Sequence, residues 1–489
     1  MNNLAPNQQT TNRAPEWLNS LIWLAIAVGC FHLAYTPSNH PAIGLVILGY
    51  AFGLVKLTDQ PSVRCAFYFG LATGFLCAAP QLYFFWNIFS VAAVVLWLVF
   101  AFWIGLFAAL SCGCIRRWGK PKAIWLIPFI WTGLEYFRSE LYYLRFSWLN
   151  IGYVFPYSEI TPYLCFGMYG VGFLIFALAS VLSGMKTMTR PTITIVCVIL
   201  VLITFVAGSL AFIAAARYET PKPPVSIAGI QMEFPSAGIL PGALNKVLKK
   251  YPDAQIFVLS EYSLDGGVPD SLKHWCRDHS RCLVVGGRDF VTNDVYYNTA
   301  FVVGTNGEIV FKQAKSVPIQ FFHDGLPATQ QKVWDSPWGK IGICICYDLS
   351  YTRVTDALIK QGAQLLIVPT MDVEDWGRHQ HNLHARVAPV RAAEYGVPIF
   401  RLASSGISQA VSGSGTVLAQ TRFAIDGDLL AATFRLPMSG ARPLDRWLAH
   451  ACVAVTAVIS AALLFLTGQE KLARRTNPAS PASPIPLRP

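Results

Sequence analysis

The chain has 489 residues, 54% of them hydrophobic and only 13% charged, with a net charge of +11. Soluble globular chains carry roughly 25% charged residues, so the composition excludes a soluble enzyme along the whole length. The surplus Lys and Arg gather between apolar runs, which argues against a nucleic-acid patch and for membrane orientation.

Residues 1–16 show no charged segment leading into a short apolar core with a cleavage site, so the first apolar run is expected to stay as an anchor. A span needs roughly 20 apolar residues. Candidate spans lie at 17–35, 41–55, 66–86, 89–112, 123–137, 161–184, 192–216 and 447–467, the second and fifth being short. With residues 1–16 in the cytoplasm, 13 Lys and Arg of the connections fall on the cytoplasmic side, and Arg138 and Arg145 alone fall opposite. That bias orients the chain. Seven spans over 17–216 place the segment 223–435 outside the cytoplasm, and the eighth returns the tail 468–489. The outer connection "LEYFRSELYYLRFSWLNIGYVFPYSE" has two readings: an interfacial belt of aromatics with snorkelling Arg, or a functional pocket at membrane level.

Eight of the 12 cysteines lie in or beside apolar runs, where small core residues are expected. Cys276, Cys282, Cys344 and Cys346 lie in the segment 223–435 without a CxxC pair, so no zinc site of that type is expected. "CRDHSRC" has room for a small disulfide, and sequence leaves the pairing of Cys276 and Cys282 open.

From Val225 onward, β-rich runs alternate with amphipathic ones, which predicts an α/β domain. Strands are expected at "VSIAGIQ", "AQIFVLSE", "CLVVGG", "KIGICIC", "QLLIVPT" and "VPIFRLASS", with a hairpin over "YYNTAFVVGTNGEIVFK". Helices are expected at "ALNKVLKKY", "SLKHWCRDHS", "VTDALIKQGA" and "LHARVAPVRAAEYG". Three polar groups stand at strand ends: Glu261 in "IFVLSEYS", Lys312 or Lys315 in "VFKQAKSVP", and Cys346 in "GICICYD". Active groups of α/β folds sit at the C-terminal ends of strands. A thiol needs a base to become a nucleophile, and an ammonium stabilises the thiolate and the oxyanion of acyl transfer. "HQHNLH" invites a metal, but no carboxylate spacing completes a site, so none is expected.

These residues resemble the nitrilase superfamily, which sets a Glu-Lys-Cys triad on a four-layer α-β-β-α sandwich. The whole layout is similar to the apolipoprotein N-acyltransferases, through "WTGLEYFRS", "FSWLNIGY", "LSEYS", "GICICYD" and "HARVAPVRAAEYGVPIFRLASSGIS". The implied fold is an eight-helix polytopic membrane domain with an inserted extracytoplasmic nitrilase-like sandwich. The resemblance makes Glu261 the general base and Cys346 the nucleophile. Tyr347 would offer its backbone N–H to the oxyanion, and Asp348 stands where the acyltransferases usually have Glu. Lys315 fits the nitrilase pattern "KSVP", whereas the acyltransferase lysine position holds Gln313. The acyltransferases' second carboxylate is replaced by Gln320, leaving His323 and Asp324 as the nearest polar candidates. Trp148, Trp376 and His384 are further expected pocket residues. No cofactor is implied. The implied reaction moves an acyl chain from a phospholipid, through a thioester on Cys346, to the α-amine of a diacylglyceryl-cysteine on an apolipoprotein, in a bacterial inner membrane with the catalytic domain on the periplasmic side. A membrane-anchored amidase or nitrilase acting on a small substrate, and a non-catalytic relative that kept the fold, are the competing readings.

Overall fold

The computed structural model describes residues 16–37, 42–156, 166–188 and 222–476. Among them, four helical stretches are long and apolar enough to cross a membrane: Trp17–Tyr35, Val63–Gln81, Phe84–Trp118 and Asp445–Ala473. Large apolar side chains such as Ile22, Leu33, Val95 and Phe465 stand exposed on them, as lipid contact requires. Shorter apolar helices, Ile43–Leu57 and Met168–Gly184, pack among the long ones. The helix Ile127–Tyr136 runs directly into a π-helical turn, Phe137–Leu141. The expected span 192–216 lies outside the described residues. The helix expected over 89–112 continues to Trp118, where Gly119 at φ +79° ends it.

The second part is a sandwich of two six-stranded sheets. One has the order β12-β1-β2-β3-β4-β5, the other β11-β10-β9-β8-β7-β6. The first six strands are β1 Val225–Ile230, β2 Ile256–Val258, β3 Cys282–Phe290, β4 Tyr296–Val303, β5 Ile309–Ala314 and β6 Val333–Ser336. The others are β7 Gly339–Ile343, β8 Leu365–Thr370, β9 Ile399–Ala403, β10 Gln409–Val411, β11 Val417–Gln420 and β12 Leu429–Phe434. Side-chain alternation builds the layers. Ala228, Ile230, Phe257, Leu283 and Val285 turn outward onto helices Leu240–Lys250 and Asp270–His279. Ile227, Ile256, Val258 and Val284 turn inward and join the core shared with the second sheet. Helices Thr352–Lys360 and Val387–Tyr395 cover that sheet's outer face, giving the expected α-β-β-α order.

Two local expectations change, and the cysteine pairing that sequence leaves open is decided. "KIGICIC" is a strand only to Ile343, so Cys344 and Cys346 lie beyond β7. The helix expected over "LHARVAPVRAAEYG" breaks at Arg386 into Arg378–Ala385 and Val387–Tyr395. Pro389 has no N–H for the carbonyl four residues back, and its ring crowds that turn. Cys276 and Cys282 are free thiols, both buried, and burial pushes the Cys276 thiol up to about 12. Strands β6, β10, β11 and β12 had no clear periodic signal.

Candidate active site

The two sheets bring their strand ends together at one edge, and three loops carry polar side chains into it. Glu261 follows β2, Lys315 follows β5, and Cys346 follows β7. Glu261, Lys315 and Cys346 are 1%, 0% and 2% exposed. Charged groups this deep need partners. Lys315 Nζ lies 2.8 Å from Glu261 Oε1 and 2.7 Å from Asp324 Oδ2, so one ammonium is shared by two carboxylates.

Each oxygen of this pair of acids is also held from the framework, and Glu261 Oε2, with a single donor, keeps a lone pair for a proton. Asn298 Nδ2 donates to Glu261 Oε1 (2.6 Å) and to Asp324 Oδ1 (2.8 Å). The Met371 N–H donates to Glu261 Oε2 at 2.7 Å. Tyr262 Oη–H donates to Asp324 Oδ1 and the Ile319 N–H to Asp324 Oδ2, both at 2.8 Å. Burial holds Glu261 above the ordinary carboxylate range, Lys315 pulls it back, and the Asp324 charge pushes it up again. The carboxylates hold the Lys315 ammonium protonated far into the alkaline range. Glu261 is therefore a buried base with proton affinity to spare beside a fixed cation.

Cys346 starts the 3-10 turn Cys346–Ser350 with φ +52°. A non-glycine residue pays about 1–3 kcal/mol to stay in such a conformation, which persists only where surrounding contacts demand it. They do so through Asp348. Its carboxylate accepts N–H bonds from Ser316 (3.0 Å), Val317 (2.7 Å) and Ile345 (3.2 Å), tying the cysteine turn to the Lys315 loop. Burial pushes Asp348 up to about 6 despite these donors. Burial also raises the Cys346 thiol well above its usual range, Glu261 adds to the rise, and Lys315 opposes it. Cys346 is held as a neutral thiol beside a base, so its proton must leave as it attacks.

The structure separates the two candidate lysines. Lys312 points to the opposite face of β5 and pairs with Asp289 at 3.0 Å, half-exposed. Asp324 takes the place beside Lys315 that sequence left open between it and His323. His323 is exposed, and its carbonyl accepts from Tyr296 Oη at 2.6 Å. Asn298 was missed. Its signal was available: it shares the inward face of β4 with Ala300 and Val302, a buried amide in an apolar register.

A cavity of about 980 Å³, counting its open mouth, leads from Cys346 to the membrane helices. Phe84, Phe85, Phe89, Phe100 and Trp103 wall one side, and Ile319, Phe321, Phe322 and Trp376 the other. Phe89 meets Phe321 and Phe322 edge-on, at 5.9 and 5.8 Å. Trp148 and His384 also line it, stacked at 4.5 Å. His384 Nδ1 donates to Asp372 Oδ1 (2.7 Å), and Arg401 engages the other oxygen. Burial lowers His384 to about 4, which keeps it neutral. The backbone of the neighbouring Tyr347 belongs to the Cys346 turn. Its ring packs edge-on to Trp148 at 5.8 Å, while its hydroxyl donates to the Arg145 carbonyl at 3.1 Å.

The membrane-level connection is a pocket wall as well as an interface. Arg138, Glu140 and Asn150 are buried, and Arg138 donates to the Phe146 carbonyl (2.8 Å) and Asn150 Oδ1 (2.6 Å). Glu140 accepts the Thr352 N–H at 3.1 Å, and Trp148 Nε1 donates to Ser350 Oγ at 2.9 Å, so the loop grips the turn after Cys346.

Two family profiles match the chain. The apolipoprotein N-acyltransferase N-terminal domain matches residues 27–182, and carbon-nitrogen hydrolase matches residues 223–441. An apolipoprotein N-acyltransferase from Geobacter metallireducens is 24% identical over 86% of this chain and 92% of its own. One from Coxiella burnetii is 25% identical over 88% of this chain and 96% of its own. Among solved structures, a nitrilase-superfamily amidase from Nesterenkonia AN1 aligns over 44% of this chain and 94% of that one, at 18% identity and a TM-score of 0.38.

Proposed function

We propose a route of catalysis for this chain, which belongs to the apolipoprotein N-acyltransferase family, the membrane-embedded branch of the carbon-nitrogen hydrolases. It is an acyltransferase of lipoprotein maturation. The observation that carries the route is the continuous apolar cavity from membrane helices to the Cys346 thiol. An acyl chain reaches the thiol along it without crossing water.

Glu261 takes the thiol proton as Cys346 Sγ attacks the ester carbonyl of a phospholipid. The tetrahedral oxyanion is met by Lys315 and the backbone N–H of Tyr347. When it collapses, the C–O bond breaks, and the lysophospholipid oxygen leaves with the proton held by Glu261. A thioester remains on Cys346. The neutral α-amine of a diacylglyceryl-cysteine then attacks this carbonyl and gives a proton to Glu261. The C–S bond breaks, Sγ takes that proton back, and the amide departs. Asp324 and Asn298 hold Lys315 and Glu261 in place throughout. The charge bias of the connections supports the sandwich lying opposite the cytoplasm, and the bacterial relatives support a bacterial inner membrane with that side the periplasm.

A membrane-anchored amidase would use the same three groups, but walls of Phe and Trp offer little to a small polar amide. The test supplies acyl-labelled phospholipid to the purified protein in micelles. The label should join Cys346 as a hydroxylamine-sensitive thioester, and only a lipopeptide with a free α-amine should discharge it rapidly. An unlabelled protein that releases ammonia from amides would overturn the route.

A further inference from the structure

The geometry points to Arg145 as the group that receives the phosphate of the acyl donor, a subsite that rests on reading the cavity as the donor's site. Three charged side chains line the cavity: Arg138, Arg145 and Asp372. Two are already engaged. Arg138 is spent on the Phe146 carbonyl and Asn150, and Asp372 on Arg401 and His384. Arg145 Nε is buried with no acceptor, and no ion pair forms at this guanidinium among the described residues. Its face lies 5.7 Å from the centre of the Tyr351 ring. A buried donor left without an acceptor costs about 1–3 kcal/mol, unless a ligand supplies one.

The position is fixed against the reacting atom. The Arg145 carbonyl accepts from Tyr347 Oη at 3.1 Å and from Tyr351 Oη at 3.3 Å, and Tyr347 lies in, and Tyr351 directly after, the turn that Cys346 begins. The backbone of Arg145 is thus tied to the turn that carries the nucleophile, and its guanidinium lies over the Tyr351 ring in the same cavity. A glycerophospholipid carries its phosphate only a few bonds from the scissile ester. With that ester at Cys346 and the chain along the Phe84–Trp103 wall, the phosphate falls at the cavity's uncompensated cation. Guanidinium pairs with phosphate oxygens through two parallel N–H bonds, which orients the ester as well as binding it.

The test follows acylation of Cys346 in the full-length protein, by mass spectrometry, in maltoside micelles, which contain no phosphate. Two donors with identical chains are compared: a diacyl phospholipid and the corresponding diacylglycerol. Arg145→Gln is expected to slow acylation by subsaturating phospholipid about 10- to 100-fold, chiefly through KM, as loss of a charge-assisted contact implies. It should keep the diacylglycerol rate within about twofold, which also reports intact folding. Arg145→Lys should fall between. Equal losses on both donors, or no loss on phospholipid, would overturn the assignment alone. A wild-type protein acylated by neither donor would overturn the acyl-transfer route itself.

Discussion

At residue scale the problem is to choose between two buried thiols. Cys344 keeps a sheet contact, its N–H donating to the Ile367 carbonyl at 3.3 Å, whereas Cys346 has turned into the left-handed region beside Glu261 and Lys315. Cys346→Ala should abolish thioester formation, and Cys344→Ala should retain it within a few-fold, both read by intact-protein mass spectrometry. The acid pair sets the pH response. Burial first, and then the Asp324 charge, raise the proton affinity of Glu261 against the pull of Lys315, so the acid limb of kcat/KM should lie above the ordinary carboxylate pKa of about 4.3. Asp324→Asn removes that negative charge. Glu261 then becomes more acidic, the limb should move to lower pH, and the weaker base should cost roughly 10- to 100-fold in rate. An unmoved limb would deny the coupling. Glu261 and Cys346 were legible as polar ends of apolar runs. The role of Asp324 was not, because a loop residue 63 positions after Glu261 meets it only through the fold.

At the scale of elements, strand ends decide the site. β2, β5 and β7 stop where the chain must turn inward, and sequence periodicity identified those strands while leaving their last residues open. The strand β3 must pass unusually close. A Cβ on Gly286 would lie 2.6 Å from Glu261 Cα, and backbone cannot rotate away as a side-chain tip does. Gly286→Ala should therefore displace Glu261. The expected loss is about 10²-fold in acylation rate, with a destabilisation of about 1–3 kcal/mol. Thermal unfolding in detergent separates the two effects. The π turn Phe137–Leu141 is the other decisive element. Arg138, Ser139 and Glu140 are all buried on it, where the connection meets the turn after Cys346.

At the scale of the whole molecule, buried ions join the membrane helices to the sandwich. Arg446 at the start of the last helix reaches Glu394 (3.1 Å) and Asp356 (3.0 Å) of the sandwich, while the neighbouring Asp445 accepts the Tyr169 N–H at 2.9 Å. Gly167, at φ +88°, leaves room for that carboxylate, which a Cβ there would strike. Arg446→Ala takes the counter-charge from Asp445 and Asp356 and leaves Glu394 to Arg391 alone, and should destabilise by about 3–5 kcal/mol, visible as a lowered Tm in detergent. Acylation should fall with it, since the cavity takes its walls from both parts. A raised or unchanged Tm would show that the network contributes nothing to docking.

Composition, apolar run lengths and charge placement alone determined a membrane part with an inserted α/β part, because solvent preference acts on local stretches. Strand-end polarity picked out Glu261, Cys346 and one of Lys312 and Lys315, and the family resemblance made the choice of Lys315. Only the tertiary structure decided that Asp324 shares the lysine, that Asn298 spans both acids, and that Trp148 stacks on His384 in the cavity that Phe89 also lines. These are contacts between segments far apart in the chain, set by how two sheets and a helical bundle pack, and no local pattern encodes them.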